Sequence, residues 1–251
     1  MESLEAINAA AAYLLAQTEV TTEQVASIAQ RLLHVRNPAT LGAYVRVQAA
    51  LYPVTQECPD VVRLLVAHVN SAFEGAPFLA IRVQTSGSEG PHKDGQNSHL
   101  PSLVCNLSPG TPGGTWTEDP DGKLFMRCPD GVMRLGRLLM GTHYRLSART
   151  LWHAAIPCEL RQRLMLIAWV PAGWINLREN DLHTLQGYGF SVPTAAQEER
   201  SALSVWRGHG SVQSSLDEAL RLPALTWSSG KLKHASSVCI CLSSDEESDD
   251  A

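Results

Sequence analysis

His92-Lys93-Asp94 is the tripeptide in this chain best placed to do chemistry. On an extended backbone, residues i and i+2 share a face, so one imidazole and one carboxylate point the same way. A histidine from a distant strand would complete a set of two imidazoles and one carboxylate. That set leaves three coordination positions open for a chelating co-substrate and dioxygen, the vacancy that iron(II) chemistry requires. A tripeptide this short also fits a solvated turn, but the rest of the chain favours the first reading. In Leu151-Trp152-His153-Ala154-Ala155-Ile156-Pro157 a histidine sits in apolar surroundings ahead of a proline turn, and His153 is the natural third ligand. The apolar segment Arg163-Leu164-Met165-Leu166-Ile167-Ala168-Trp169 follows. Arg163 opens a strand otherwise without charge, and burying its guanidinium is costly unless a carboxylate meets it in a bidentate pair. The carboxylate of a bound ligand would satisfy it.

These residues need strands to hold them. Phe78 to Gln84 alternates enough to be one, and further candidates are Leu103–Leu107, Thr115–Glu118, Lys123–Arg127, Met133–Leu139, His143–Leu146 and Arg163–Val170. The connections are rich in turn formers, as in Asp119-Pro120-Asp121-Gly122 and Pro129-Asp130-Gly131. Short strands with such turns predict a sandwich or barrel closed on itself, rather than a parallel α/β sheet.

From Leu4 to about Leu51 the spacing predicts two helices, with Ile7, Ala11 and Leu14 on one face and Val25, Ile28, Leu32 and Leu33 on another. Thr21, three residues before Gln24, can form a capping box at the second. Asp60 is the expected cap of a third helix carrying Val61, Leu64, Leu65, His68 and Val69. Glu179 to Leu185 reads as a short helix. The predicted organisation is a helical region over 1–76 belonging to the same domain, a sheet core over 77–191 beginning at Pro77, and a mostly disordered tail over 192–251 with a helix at Ser215–Leu220.

A chain of 251 residues suits one principal core. With 44% hydrophobic and 18% charged residues it reads as a soluble globular protein with no membrane partner, since no apolar run reaches the length of a span. The net charge of -5 comes from the tail, because Asp245, Glu246, Glu247, Asp249 and Asp250 fall in the last seven residues. The rest is balanced, and composition announces no nucleic-acid surface. Acidic residues near Met1 are the wrong flank for a secretory signal, and the six scattered cysteines form no CxxC pair. The expected location is intracellular, nuclear or cytoplasmic, with reduced thiols.

His92-x-Asp94, His153 and Arg163, in that order on β segments, resemble the Fe(II)/2-oxoglutarate-dependent dioxygenase superfamily. Thr111-Pro112-Gly113-Gly114-Thr115-Trp116 is similar to the Gly-Gly turn that many members carry between the ligands, although Thr115 stands where an aliphatic residue is usual. The longer run His92-Lys93-Asp94-Gly95-Gln96-Asn97 resembles the subgroup with an Asn shortly after HxD, which includes TET/JBP-type nucleobase oxidases and related domains of dinoflagellate and retroelement-derived proteins. The likeness runs from Phe78 through Gly187-Tyr188-Gly189-Phe190.

The resemblance implies an α+β chain built on a double-stranded β-helix, a cupin-like jelly roll with N-terminal helices packed on its sheet. It implies oxidation of a protein side chain or a nucleobase, with Fe(II) and O2 as cofactors and 2-oxoglutarate converted to succinate. His92, Asp94 and His153 would ligate iron, Arg163 would anchor the co-substrate, and Asn97 would hydrogen-bond an iron ligand or the co-substrate. Trp152 and Trp169 fit either the pocket lining or the core. Arg161 competes with Arg163 for the anion, and Arg149 suits an acidic substrate or a surface ion pair. His99 and His143 are expected merely to flank strands.

Two other readings stay open: a catalytically silent binding module for a peptide or nucleic acid, and a cupin that uses no 2-oxoglutarate. Finally, Val238-Cys239-Ile240-Cys241-Leu242 ahead of the acidic run resembles a SUMO-interacting motif, able to add as a strand to a partner's sheet edge.

Overall fold

Alternation along three neighbouring strands decides where the helices pack and where a cavity opens. In β3 (Ala80–Thr85), β4 (Ser102–Asn106) and β10 (Leu164–Trp169), the residues Ile81, Val83, Leu103, Cys105, Leu164, Leu166 and Ala168 face a large apolar cluster shared with the helices. The intervening Arg82, Gln84, Ser102, Val104, Met165, Ile167 and Trp169 face the other way and line a cavity. This is the period of two expected of strands that are covered on both faces.

The computed structural model describes residues 2–85, 90–108, 114–156 and 163–208, and the strands 224–228 and 231–234. Its remaining elements are α1 (Leu4–Leu15), α2 (Thr22–Val35), β1 (Ala39–Val45), β2 (Ala49–Leu51), α3 (Pro53–Glu57), α4 (Pro59–Ala72), β5 (Gly114–Glu118), β6 (Leu124–Arg127), β7 (Met133–Leu139), β8 (His143–Leu146), β9 (His153–Ile156), α5 (Glu179–Gly187), α6 (Ala195–Gly208), β11 (Ala224–Ser228) and β12 (Lys231–His234). Among the described residues the strands form two sheets, ordered β2-β1-β3-β10-β4-β8 and β12-β11-β6-β7-β5-β9. Every pairing is antiparallel except that of β11 with β6.

The helices cover the outer face of the first sheet. Ile7 and Ala11 of α1, Val25, Ile28 and Leu32 of α2, and Val61, Leu64, Leu65 and Val69 of α4 are all buried in the shared cluster, as their spacing predicted. The capping box at α2 is present, with Thr21 and Gln24 each accepting from the other's backbone N–H. Asp60 is not the cap of α4, which begins one residue earlier at Pro59. Its first-turn N–H groups are met from α1 instead: Asn8 Oδ1 accepts from Asp60 N at 2.8 Å and Val61 N at 3.3 Å. A cap supplied from another helix does the work a local residue was expected to do.

The sheet begins earlier than Pro77. Part of the stretch expected to be helical to Leu51 is instead the hairpin β1-β2, with β1 extending the first sheet beside β3. Gly42 makes this pairing feasible. Its φ is +88°, and a Cβ there would lie 2.2 Å from the Leu79 carbonyl oxygen.

Past β10 the expected helix at Glu179 is present as α5. The segment 195–208 departs from the expected disorder, since it forms α6. Thr194 and Gln197 cap its start, Trp174 Nε1 donates to Glu198 Oε2 at 2.8 Å, and Ser201 Oγ donates to the His99 carbonyl at 2.7 Å. The anticipated helix at Ser215–Leu220 and the segment Val238–Leu242 with its acidic run lie outside the described residues. Among those described, no helix is long and apolar enough to cross a membrane.

Candidate metal centre

β9 is bracketed by β5 in the second sheet and, on its other side, by a single bridge to His92. His92 N donates to the His153 carbonyl and His153 N to the His92 carbonyl, both at 3.0 Å. This reciprocal exchange marks a hydrogen-bonded antiparallel pair, whose side chains emerge on the same face. The two imidazoles accordingly lie side by side, with ring centroids 4.4 Å apart. Two residues on from His92, Asp94 N donates to the Ala148 carbonyl at 2.8 Å, and this aims the carboxylate back at both rings. Its Oδ1 is 3.7 Å from His92 Nε2 and its Oδ2 is 3.8 Å from His153 Nε2.

The ring orientations follow from the carbonyls. His92 Nδ1 lies 2.8 Å from the Gly90 carbonyl oxygen and His153 Nδ1 lies 3.1 Å from that of Leu151. A carbonyl can only accept, so each Nδ1 donates to it, and each Nε2 is the ring nitrogen turned towards the Asp94 carboxylate. Ligand atoms of the three residues all fall within 4.8 Å of one another, and this is the only such group among the described residues. His92, Asp94 and His153 form a candidate metal centre. The donor set fits iron(II): two imidazoles oriented by backbone carbonyls, and one carboxylate, grouped on one side of a cavity.

No family model matches the chain, and no curated protein matches it. Among solved structures, it is similar to a Pseudomonas putida prolyl-4-hydroxylase, with 16% identity and a TM-score of 0.31, over 66% of this chain and 93% of that one. A likeness of that size fixes neither family nor activity.

The cavity measures about 190 Å³ and lies between the two sheets. Thr115 of β5 and His153 and Ala155 of β9 form one wall, facing Arg82, Val104, Met165, Ile167 and Trp169 on the other. Tyr144 of β8 and Thr115 tie the sheets together through a 2.6 Å hydroxyl–hydroxyl hydrogen bond.

Asn97 lies beside Asp94. It is 6% exposed, and its Nδ2 reaches Asp94 Oδ2 at 3.3 Å and Ser102 Oγ at 3.2 Å. Among the described residues Arg149 forms no ion pair with an acid. Its Nη1 donates to the Gly95 carbonyl at 2.7 Å and to the Asn97 carbonyl, clamping the turn that carries Asp94.

Arg163 is buried, at 1% exposure, but it does not line the cavity. It continues the inward row of β10 two residues beyond Met165, and its Nη2 donates to the Gly114 carbonyl at 2.7 Å. Arg82 is the arginine in the lining, and sequence reasoning passed over it. The signal was available, since Arg82 and Gln84 are the polar half of the alternation from Phe78 to Gln84. Trp169 lines the cavity, whereas Trp152 packs against the small cluster around Trp116, between Lys93 and Arg134. His99 and His143 stand outside the metal group, as expected. Arg161 lies outside the described residues.

Proposed function

We propose that this chain is an iron(II)- and 2-oxoglutarate-dependent dioxygenase on a double-stranded β-helix, oxidising a protein side chain or a nucleobase. The observation that carries the proposal is the grouping of His92 Nε2, His153 Nε2 and the Asp94 carboxylate at one end of a cavity. The strand order supports the fold reading. The chain crosses from one sheet to the other between β4 and β5, then at each step from β7 through β8, β9 and β10 to β11. The likeness to TET/JBP-type and retroelement-associated domains rests on the run from His92 to Asn97, and the contact between Asn97 and Asp94 is consistent with it.

Bound iron(II) with 2-oxoglutarate would activate dioxygen for insertion into a C–H bond, with succinate and carbon dioxide as co-products. The protein's part is to position and to shield. His92, Asp94 and His153 would hold the metal, and the cavity beside them would receive the co-substrate. Asn97 and the two backbone carbonyls fix the ligands' orientation. Val104, Met165, Ile167 and Trp169 supply an apolar wall that limits water around the reacting centre. A cavity of about 190 Å³ is smaller than sites for drug-sized ligands, roughly 300–1,000 Å³. A small co-substrate can occupy it, and a macromolecule would present a single group at its mouth.

The test is succinate release from 2-oxoglutarate by iron-loaded protein beside the His92→Ala variant. The wild type should turn over and the variant should not. Indistinguishable traces would instead favour a silent binding module. Mass spectrometry of methylated DNA oligonucleotides and of a peptide library after incubation then separates the two substrate classes by which one gains oxygen.

A further inference from the structure

β1 and β3 stop at different places, and the mismatch opens a groove. The pairing of the two strands runs only as far as Ala39 with Val83, whereas β3 continues to Thr85, so β1 leaves the last part of that edge uncovered. The end of α2 and the Asn37-Pro38 turn that leads into β1 border the gap. The groove measures about 460 Å³. Gln30, His34 and Asn37 line it and take no part in the metal cavity, whereas Arg82 and Gln84 line both and form a wall that the two share.

Its chemistry is one-sided. Gln30, Asn37 and Gln84 bring side-chain amides, Thr85 a hydroxyl and Arg82 a guanidinium, and among the described residues no carboxylate lines the groove. None of these five side chains makes a hydrogen bond or ion pair there, while the His34 ring is already turned to the Gln30 carbonyl through Nδ1 at 2.8 Å. Donors are in excess. Arg82 is half-buried, and a guanidinium held partly out of water with no anion beside it is unfavourable, a cost that a bound anion relieves. The end of α2 carries partial negative charge and opposes an anion, so the attraction has to come from the guanidinium. Two oxygens of a carboxylate would leave several of these donors unused, whereas the three terminal oxygens of a phosphate can take them up. A phosphate alone underfills the space. The volume falls in the range of small-molecule sites, roughly 300–1,000 Å³, and Leu33 and Pro38 offer apolar contact to whatever carries the phosphate.

We propose that the groove between the end of α2 and the uncovered edge of β3 is a binding site for a small phosphate monoester. Arg82 pairs with the phosphate, the amides of Gln30, Asn37 and Gln84 complete its hydrogen bonds, and Leu33 and Pro38 pack on the organic body. The site is separate from the metal group and from the co-substrate, and it stands whether or not the cavity oxidises anything.

The test is calorimetric titration of the full chain, dialysed free of metal so that no probe binds through an ion, with ribose 5-phosphate, ribose and acetate as probes. Ribose 5-phosphate should bind, and the other two should bind far more weakly or not at all. R82Q should weaken ribose 5-phosphate binding by at least about tenfold, the loss expected for one charge-assisted pair. Gln30→Glu sets a carboxylate in the groove from an exposed position on α2, outside the metal cavity, and should weaken it at least as much. A thermal melt matching the wild type shows that this variant is folded. Wild-type protein that does not bind ribose 5-phosphate overturns the proposal, and so does acetate or ribose binding as tightly. Full affinity in R82Q overturns it as well. A loss in R82Q with none in Gln30→Glu places the anion in the metal cavity instead, which also removes the proposed site.

Discussion

His92 and His153 are backbone partners as well as neighbouring side chains: each donates its N–H to the other's carbonyl at 3.0 Å. The separation of their rings is thus set by main-chain pairing, the stiffest restraint a sheet offers, rather than by side-chain rotamers alone. Asp94 has a similar anchor in its N–H bond to Ala148. The three ligating groups stand close together before any metal arrives, so little ordering remains to be done on binding.

Asn97 should govern metal affinity without touching the metal. It orients Asp94 Oδ2 while its other contact, Ser102 Oγ, holds it in place. Asn97→Ala should weaken metal binding by roughly 10–100-fold, as loss of outer-shell partners does elsewhere. Competition against a chelator of known affinity measures it. An unchanged affinity would restrict Asn97 to its backbone role in the turn, where its N–H donates to the Asp94 carbonyl at 2.9 Å.

Arg149 should couple stability to the site. It holds two carbonyls of the 95–97 turn through one charged donor group in a half-buried setting. After allowance for solvent screening, Arg149→Ala should cost about 1–2 kcal/mol. That corresponds to a fall of a few degrees in Tm. Metal affinity should drop with it, and Arg149→Lys should recover only part, since an ammonium lacks the planar fork. A thermal melt and a metal titration read both effects. A variant matching the wild type in both would leave the turn independent of Arg149.

Cys105 should titrate out of reach of ordinary alkylation. Burial in β4 pushes its thiol up to about 12, so the folded protein keeps it protonated when an exposed thiol would ionise. Above pH 9 the unfolded chain loses this proton and the folded chain holds it, so stability falls as pH rises from about 9 towards 12, by at most about 1.4 kcal/mol per pH unit. Cys105→Ala should show a shallower decline than wild type over that window in denaturant titrations. Peptide mapping after iodoacetamide treatment at pH 8.5 should leave Cys105 unmodified. Modification of the native protein at that residue would contradict its burial at 1% exposure.

Local rules carried the sequence reading a long way. On an extended backbone HxD places two side chains on one face, and the apolar setting of His153 marked it as inward-facing. The capping box at Thr21 and the buried face of α4 depend on neighbours within one helix turn, and they appear as read. The strand alternation that divides Ile81 from Arg82 is equally local.

What failed was long-range. The start of α4 is capped by Asn8 from another helix, and β1 is a strand because β3 offers it an edge and Gly42 lets it approach. The helix α6 had a local signal in Thr194 and Gln197, but its docking through Glu198 and Ser201 depends on distant partners.

The residue types and their faces, including a candidate ligand set of two imidazoles and one carboxylate, were legible in the sequence by itself. The tertiary structure decided that His92 and His153 are backbone partners and that Arg82, not Arg163, lines the cavity. The reason is physical: periodicity fixes the side of a strand on which a side chain emerges, but its depth between two sheets depends on register and stacking, and these are set by residues far away in the chain.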